Sequence, residues 1–265
     1  MIRLKNDDQI ANIRKSCHLL ADLFNEIIPK VRPGVSTKQI DDWCVDFMRK
    51  HGGKPAWYAE GFPGSVCTSI NDTVIHGVPS KHDIVRDGDL VSLDIGINLN
   101  GYISDSCHTV MVGNVLPRHR KLVHVTREAL LAGINACKKG GRLSDIAKAV
   151  TEVCHNQNGY GVVYDYCGHG VGLGVHEDPS VPNNYPFRGH NPRIQAGMVL
   201  AIEPMINEGT PDVITGDKKS EWTVKTADGA WSCHEEHSVA VFPDHTEVLT
   251  DLDYAGNSCL KGTSL

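Results

Sequence analysis

In the N-terminal stretch, Ile10, Ile13, Cys17, Leu20, Phe24, Ile27 and Ile28 recur at steps of three and four, the spacing of an amphipathic helix over 8–28. Asn6 or Asp7 can cap it, and Pro29 with Pro33-Gly34 ends it. A second apolar stripe, Ile40, Trp43, Cys44, Phe47 and Met48, predicts a helix capped by Ser36 and stopped by Gly52-Gly53. Short alternating runs follow near 66–76, 89–97 and 102–112, then two helices over about 118–138 and 144–157. Strand-like runs return near 162–167, 198–203, 222–226 and 238–242. Helices and strands are interleaved, yet several strands are joined by tight turns. That favours a mixed α+β fold over a βαβ array.

The pattern also echoes itself. Arg86-Asp87-Gly88-Asp89-Leu90-Val91-Ser92-Leu93-Asp94 lies over Gln195-Ala196-Gly197-Met198-Val199-Leu200-Ala201-Ile202-Glu203, each with a glycine six residues before an acid that closes an apolar run. Gly34-Val35-Ser36 leading to Ile40 resembles Gly141-Arg142-Leu143-Ser144 leading to Ile146. A duplicated half of about 110 residues would produce both correspondences.

Composition narrows the classes of function. The 265 residues are 40% hydrophobic and 22% charged, enough for a packed core. With 26 Lys and Arg against 32 Asp and Glu, the net charge of -6 leaves no basic surplus for a phosphate backbone, so nucleic-acid binding is not expected. Met1-Ile2-Arg3-Leu4-Lys5-Asn6-Asp7-Asp8 lacks the apolar core of a secretory leader. No apolar run reaches the roughly 18 residues of a membrane span. A cytoplasmic protein without membrane contact is expected. Nine cysteines, an odd number with no Cys-x-x-Cys pair, read as free thiols rather than as a disulfide framework or a zinc ribbon.

The candidate chemistry begins with a hairpin. In Val91-Ser92-Leu93-Asp94-Ile95-Gly96 the apolar side chains share one strand face, and Asp94 points off the other. Asn98-Leu99-Asn100-Gly101 is a turn signal, and Tyr102-Ile103-Ser104-Asp105-Ser106 returns. If Leu99-Asn100 is the loop, Asp94 and Asp105 are directly opposite. If Asn100-Gly101 is the loop, they are diagonal on the same face. Either register holds two carboxylates within roughly 5–8 Å, a repulsion that a cation would turn into a gain. The alternative is a pair of solvated acids.

Three later elements shift that balance. Cys167-Gly168-His169-Gly170-Val171-Gly172 sets a histidine between glycines, where the backbone is expected to turn tightly and expose the ring. Glu203 ends an apolar run before Pro204, and Glu236 begins a strand with Val239 and Val241 on the opposite parity. Asp94, Asp105, Glu203 and Glu236 carry a formal charge that two divalent ions balance. One imidazole among oxygens suits manganese, iron, cobalt or zinc and disfavours a structural calcium or magnesium site. Two such ions lower the pKa of a shared water toward neutrality, chemistry that hydrolyses an amide or a phosphoester.

Several stretches together resemble type I methionine aminopeptidases of peptidase family M24. They are Ser65-Val66-Cys67-Thr68-Ser69-Ile70-Asn71 with His76-Gly77-Val78-Pro79, Leu93-Asp94 with Asp105, the His169 segment, His176-Glu177, Ile202-Glu203-Pro204-Met205, Glu221-Trp222-Thr223-Val224-Lys225-Thr226 and Glu236-His237. The ordered match runs from about residue 4 to about 250. It implies the pita-bread fold, an α+β arrangement of two pseudo-symmetric halves (roughly 1–112 and 118–250) around a central, mostly antiparallel sheet, in one catalytic domain over 1–265.

The resemblance also implies roles. Asp94, Asp105, His169, Glu203 and Glu236 would hold two divalent ions, with Asp105 and Glu236 shared by both. Glu203 would handle the proton of the attacking water. His176 would stabilise the oxyanion, and His76 would sit near the scissile nitrogen. Phe62, Cys67, His76 and Trp222 fall on the pocket for the methionine side chain. Asn71, Thr73 and Ser232 match positions whose backbone oxygens hold a monovalent cation. The implied substrate is the N-terminus of a nascent polypeptide with a small second residue, met at the ribosome by a monomer. Two residues depart from the pattern: Val175 and Ala59 stand where aromatics are usual, which reshapes the pocket. Of the doubled acid, Glu236 rather than Glu235 fits, because it precedes His237. The alternatives are a proline-specific aminopeptidase or dipeptidase, which usually carries an extra N-terminal domain, and a metal-free binding protein on the same fold, which should have lost a ligand.

Overall fold

The computed structural model describes residues 1–216 and 220–254. In chain order the elements are helices α1 (Asp7–Ile27) and α2 (Thr37–Lys50), strands β1 (Lys54–Pro55), β2 (Cys67–Ile70), β3 (Thr73–Ile75), β4 (Leu90–Leu99) and β5 (Tyr102–Met111), and helices α3 (Pro117–Ala136) and α4 (Leu143–Thr151). Ten strands follow. They are β6 (Gly161–Val162), β7 (Gly168–Gly170), β8 (Glu177–Val181), β9 (Val199–Ile202), β10 (Met205–Asn207), β11 (Val213–Thr215), β12 (Val224–Thr226), β13 (Ser232–His234), β14 (Glu236–Val241) and β15 (Thr246–Val248).

Local chemistry explains the helix boundaries. Asn6 and Gln9 form a reciprocal capping box at α1, and Ser36 and Gln39 form another at α2. The α1 stripe is buried along its length. Leu20, Leu23, Phe24 and Ile27 meet Val91, Leu93, Ile95 and Ile97 of β4, the parity opposite to Asp94. The helix expected over 144–157 is α-helical only to Thr151. Thr151 Oγ1 there accepts from Tyr185 N at 2.8 Å, and the chain continues as a wider π turn over Glu152–Asn156.

Antiparallel pairing builds a sheet in the order β1-β4-β5-β14-β9-β7-β8, with β2 also on β4 and β15 on β14. Two three-stranded sheets, β13-β10-β6 and β11-β12-β3, flank it. The run expected as a strand over 162–167 pairs only at Gly161–Val162. Just beyond it, Val163 N still donates to Met205 O at 3.1 Å, and farther on the hydroxyls of Tyr164 and Tyr166 reach Asp212 and Thr215. The short strands β1, β7, β8, β10, β11, β13 and β15 lie outside the runs the sequence predicts, each too short to carry a clear apolar alternation.

The hairpin settles its own register. Leu99 faces Tyr102, so Asn100-Gly101 is the loop; both residues are left-handed, with φ of 54° and 88°, as a type I′ turn requires. Asp94 therefore faces Cys107, and Asp105 faces Gly96, leaving the two acids diagonal on one face.

The echo between Gly88 and Gly197 is matched bond for bond, and the other recurs one residue earlier than the sequence suggests, with Gly34 corresponding to Gly140 rather than to Gly141. Gly34 N donates to Val85 O at 2.9 Å and Val85 N returns to Val35 O at 2.9 Å; Gly140 N to Ile194 O and Ile194 N to Gly141 O repeat this at 2.9 and 2.8 Å. Gly88 N to Val112 O (2.7 Å) and Val112 N to Asp89 O (2.9 Å) recur as Gly197 N to Val241 O and Val241 N to Met198 O, both 2.9 Å. Each half thus delivers a strand that carries one acid to the middle of the sheet, Asp94 within β4 and Glu203 just past the end of β9. The eight described cysteines are free thiols, and Cys259 lies outside the described residues. Among the described residues no helix is long and apolar enough to cross a membrane.

Candidate metal centre

Five adjacent strands of the sheet, β4-β5-β14-β9-β7, each bring one candidate donor to a single cavity: Asp94, Asp105, Glu236, Glu203 and His169. The cavity has a volume of about 60 Å³. Asp105, His169 and Glu236 each offer a ligating atom, all lying within 4.8 Å of one another. His169 Nε2 is 3.6 Å from Asp105 Oδ2 and 3.4 Å from Glu203 Oε1. The His169 Nδ1 atom bonds the Gly170 carbonyl at 2.9 Å, which leaves Nε2 as the nitrogen lone pair facing the acids.

His169 is not on an exposed loop, as its flanking glycines suggested. It sits in β7, buried between two neighbouring strands. The glycines serve close approach: a Cβ at Gly168 would lie 2.2 Å from Ala201 O, and one at Gly170 would lie 2.4 Å from Asp178 O.

The electrostatics of the cavity are unfavourable without cations. Burial, followed by repulsion from Glu236 and Asp94, pushes the Asp105 carboxyl well above its ordinary value. Burial and then the neighbouring carboxylates do the same to Glu203 and Glu236. Asp94 is raised to about 7 by burial, which a hydrogen bond from Cys67 partly counters. One oxygen of each of these four carboxylates is buried without a hydrogen-bond partner. Orphaned buried acceptors cost on the order of 1–3 kcal/mol each, more when charged, and divalent ions are the partners that relieve all four together. The residues fit a metal centre.

His176 stands at the mouth, its side chain 53% exposed, its ring 4.4 Å from that of His169 and its Nδ1 3.6 Å from Glu60 Oε2. His76, left-handed at φ 56°, is lowered to about 4 by burial and then by His176, so it is a neutral imidazole. Phe62 meets Trp222 edge-on at 5.6 Å, and His76 meets Trp222 at 6.4 Å. Cys67 faces Asp94 across β2 and β4, and burial keeps its thiol protonated. Val175 is buried in the same apolar cluster as Phe62, Cys67 and Trp222, whereas Ala59 is exposed. Away from the cavity, Ser232 N donates to Asn71 O at 2.8 Å, joining β13 to the turn that precedes Thr73.

Trp57, Glu60, Ile75 and His234 also line the cavity. The run His234-Glu235-Glu236-His237 carried a signal for one of them. Alternation along an extended chain turns His234 and Glu236 toward the cavity, while Glu235 and His237 go to the other face. There Glu235 meets Arg127 at 2.9 Å and His108 at 3.5 Å.

A model of metallopeptidase family M24 matches residues 11–242. A methionine aminopeptidase of Treponema pallidum is 55% identical over 251 residues, covering 95% of this chain and 97% of that protein. One of Clostridium perfringens is 44% identical over 251 residues, with 94% and 99% covered. The crystal structure of methionine aminopeptidase from Rickettsia prowazekii superposes with a TM-score of 0.90 at 34% identity, over 95% of this chain and all 100% of that one. A prolidase from Pyrococcus furiosus reaches 0.74 at 23% identity, over 94% of this chain and 65% of the other, a likeness of fold alone.

Proposed function

The chain belongs to metallopeptidase family M24, and from that premise we infer that it is a metal-dependent aminopeptidase releasing N-terminal methionine. The observation that carries the reading is the convergence of four buried, mutually repelling carboxylates and one imidazole in a cavity also lined by Phe62, Cys67, Ile75 and Trp222. The fold is the pita-bread architecture shared with methionine aminopeptidases and prolidases.

In this reading Asp94, Asp105, His169, Glu203 and Glu236 hold divalent metal. Two ions balance the charge of the four carboxylates, and cobalt, manganese, iron or zinc suits the donors. When bound, the metal supplies the Lewis acidity that makes water nucleophilic at neutral pH and polarises a carbonyl. The chain's own groups do the rest. Glu203, raised by burial, accepts a proton from the attacking water and returns it to the departing amine. His176 donates to the oxygen on which negative charge develops, and neutral His76 orients the scissile nitrogen. Phe62, Cys67 and Trp222 enclose the methionine side chain, with Val175 in the apolar cluster they share. Asn71, Thr73 and Ser232 offer backbone oxygens to a monovalent cation. The substrates proposed are N-termini of nascent polypeptides in the cytoplasm, with a small second residue.

Release of the first residue from Met-Ala-Ser, Met-Pro-Gly and Ala-Pro-Gly, with and without chelator, tests the assignment. Methionine release that chelator abolishes supports it. Preferential cleavage of Ala-Pro-Gly, or turnover indifferent to chelator, refutes it.

A further inference from the structure

His234 is the one imidazole inside the cavity to which no role has been given. Its side chain is 2% exposed, and its Nε2 atom is buried without a hydrogen-bond partner. An unmatched buried nitrogen costs on the order of 1–3 kcal/mol, so its surroundings must contain the group it serves. Among the described residues, Glu203 Oε2 lies 3.6 Å from it. Oε1 of the same carboxylate faces His169 at 3.4 Å, so Glu203 lies between two imidazoles, one for each oxygen. His169 belongs to the tight three-donor cluster with Asp105 and Glu236, and His234 does not.

The backbone around His234 is firmly set. Its carbonyl accepts from Thr109 Oγ1 at 2.7 Å and from Cys107 Sγ at 3.4 Å, and the residue pairs with Met205 just beyond Glu203-Pro204. On the other side, Asn183 Nδ2 holds the Glu203 carbonyl at 2.9 Å. Both main chains are thereby anchored, and the remaining gap of about half an ångström to a hydrogen bond lies within reach of a side-chain rotation.

We propose that His234 is a positioning residue, donating Nε2–H to Oε2 of Glu203 and so deciding which oxygen turns toward His169 and which toward the substrate. The proposal rests on the hydrolytic reading of this cavity. It concerns a hydrogen bond, not a further metal ligand. Outer partners of this kind typically contribute about 10–100-fold to activity or metal affinity.

The test uses the full chain loaded with Co²⁺ and three variants, His234→Leu, His234→Gln and His234→Asn. Gln keeps an N–H at similar reach, Asn keeps one too short to arrive, and Leu has none. In Leu and Asn, kcat on Met-Ala-Ser should fall about 10–100-fold with KM changed by less than about threefold, and Gln should recover to within about threefold of the parent. Calorimetric titration should count the same number of Co²⁺ ions in parent and variants. The visible Co²⁺ absorption bands should shift in Leu and Asn but not in Gln. Full activity in Leu overturns the proposal, as does Gln impaired like Leu with one ion fewer, which would make His234 a direct ligand. Should Leu fail to fold, the contrast of Gln with Asn decides. A parent protein inert on Met-Ala-Ser overturns the activity reading instead, and the absorption comparison then decides His234 by itself.

Discussion

Arg127→Met should destabilise the protein through a charge on the reverse side of the sheet from the cavity. The Glu235 carboxylate is 2% exposed and has three partners: Arg127 Nε at 2.9 Å, Thr109 N at 3.2 Å and His108 Nδ1 at 3.5 Å. Burial pushes this carboxyl up, yet Arg127 and then His108 outweigh it, and the group lies below its ordinary value. Removing one partner of a buried pair costs about 3–5 kcal/mol; the Arg127 side chain is 25% exposed, so the lower end, about 3 kcal/mol, applies. At about 2–4 °C per kcal/mol for a chain of this size, Tm should drop by about 6–12 °C.

The pH dependence has a definite sign. In the parent, the contribution of Glu235 is present above the unfolded carboxylate value and is lost as pH falls through the lower folded value. In Arg127→Met the main depressing charge is gone and burial raises the carboxyl, so the deficit is largest at high pH and shrinks on acidification. Calorimetric melting at about pH 7.5 and 5.5, with Arg127→Met/Glu235→Gln alongside, measures both effects. The double variant should regain at least half of the loss, because Gln still accepts from Thr109 N. A Tm change under about 2 °C, a deficit that grows on acidification, or a double variant no better than the single one would refute the reasoning.

Three further outcomes are expected. Glu203→Gln should keep its fold and much of its metal while losing turnover on Met-Ala-Ser; activity near that of the parent would rule out a proton role for Glu203. In chelated protein, Asp94 has a folded value of about 7, above its unfolded value, so its favourable contribution exists below the unfolded pKa and is lost as pH rises through 7. The Tm gap between Co²⁺-loaded and chelated protein should therefore be wider at about pH 8 than at pH 5, and an unchanged or reversed gap in calorimetry would count against the site. Gly170→Ala places a Cβ 2.4 Å from the Asp178 carbonyl oxygen, so circular dichroism should show a marked loss of stability, with Co²⁺ binding weakened as His169 is displaced.

Much was legible along the chain because its causes are local. The apolar stripe of α1, the boxes at Asn6 and Ser36, and the Asn100-Gly101 turn each follow from residues within a few positions of one another. The α+β class and the internal echo were equally readable, since period and spacing are properties of the chain itself. The hairpin left its register open until the left-handed conformations at Asn100 and Gly101 chose one. His169 was misplaced onto a loop, because glycine answers two different demands, a tight turn and the close approach of a neighbouring backbone. Only the neighbour's position tells them apart.

The sequence alone determined which residues could serve as donors and where the main helices and the longer strands lie. The tertiary structure decided that β4, β5, β14, β9 and β7 lie side by side, so that donors more than a hundred residues apart share one cavity. It also decided that Glu236, not Glu235, faces the cavity and that His234 stands beside Glu203. Strand order and burial arise from long-range pairing, and no local propensity encodes the desolvation and mutual repulsion that make these carboxylates a metal site.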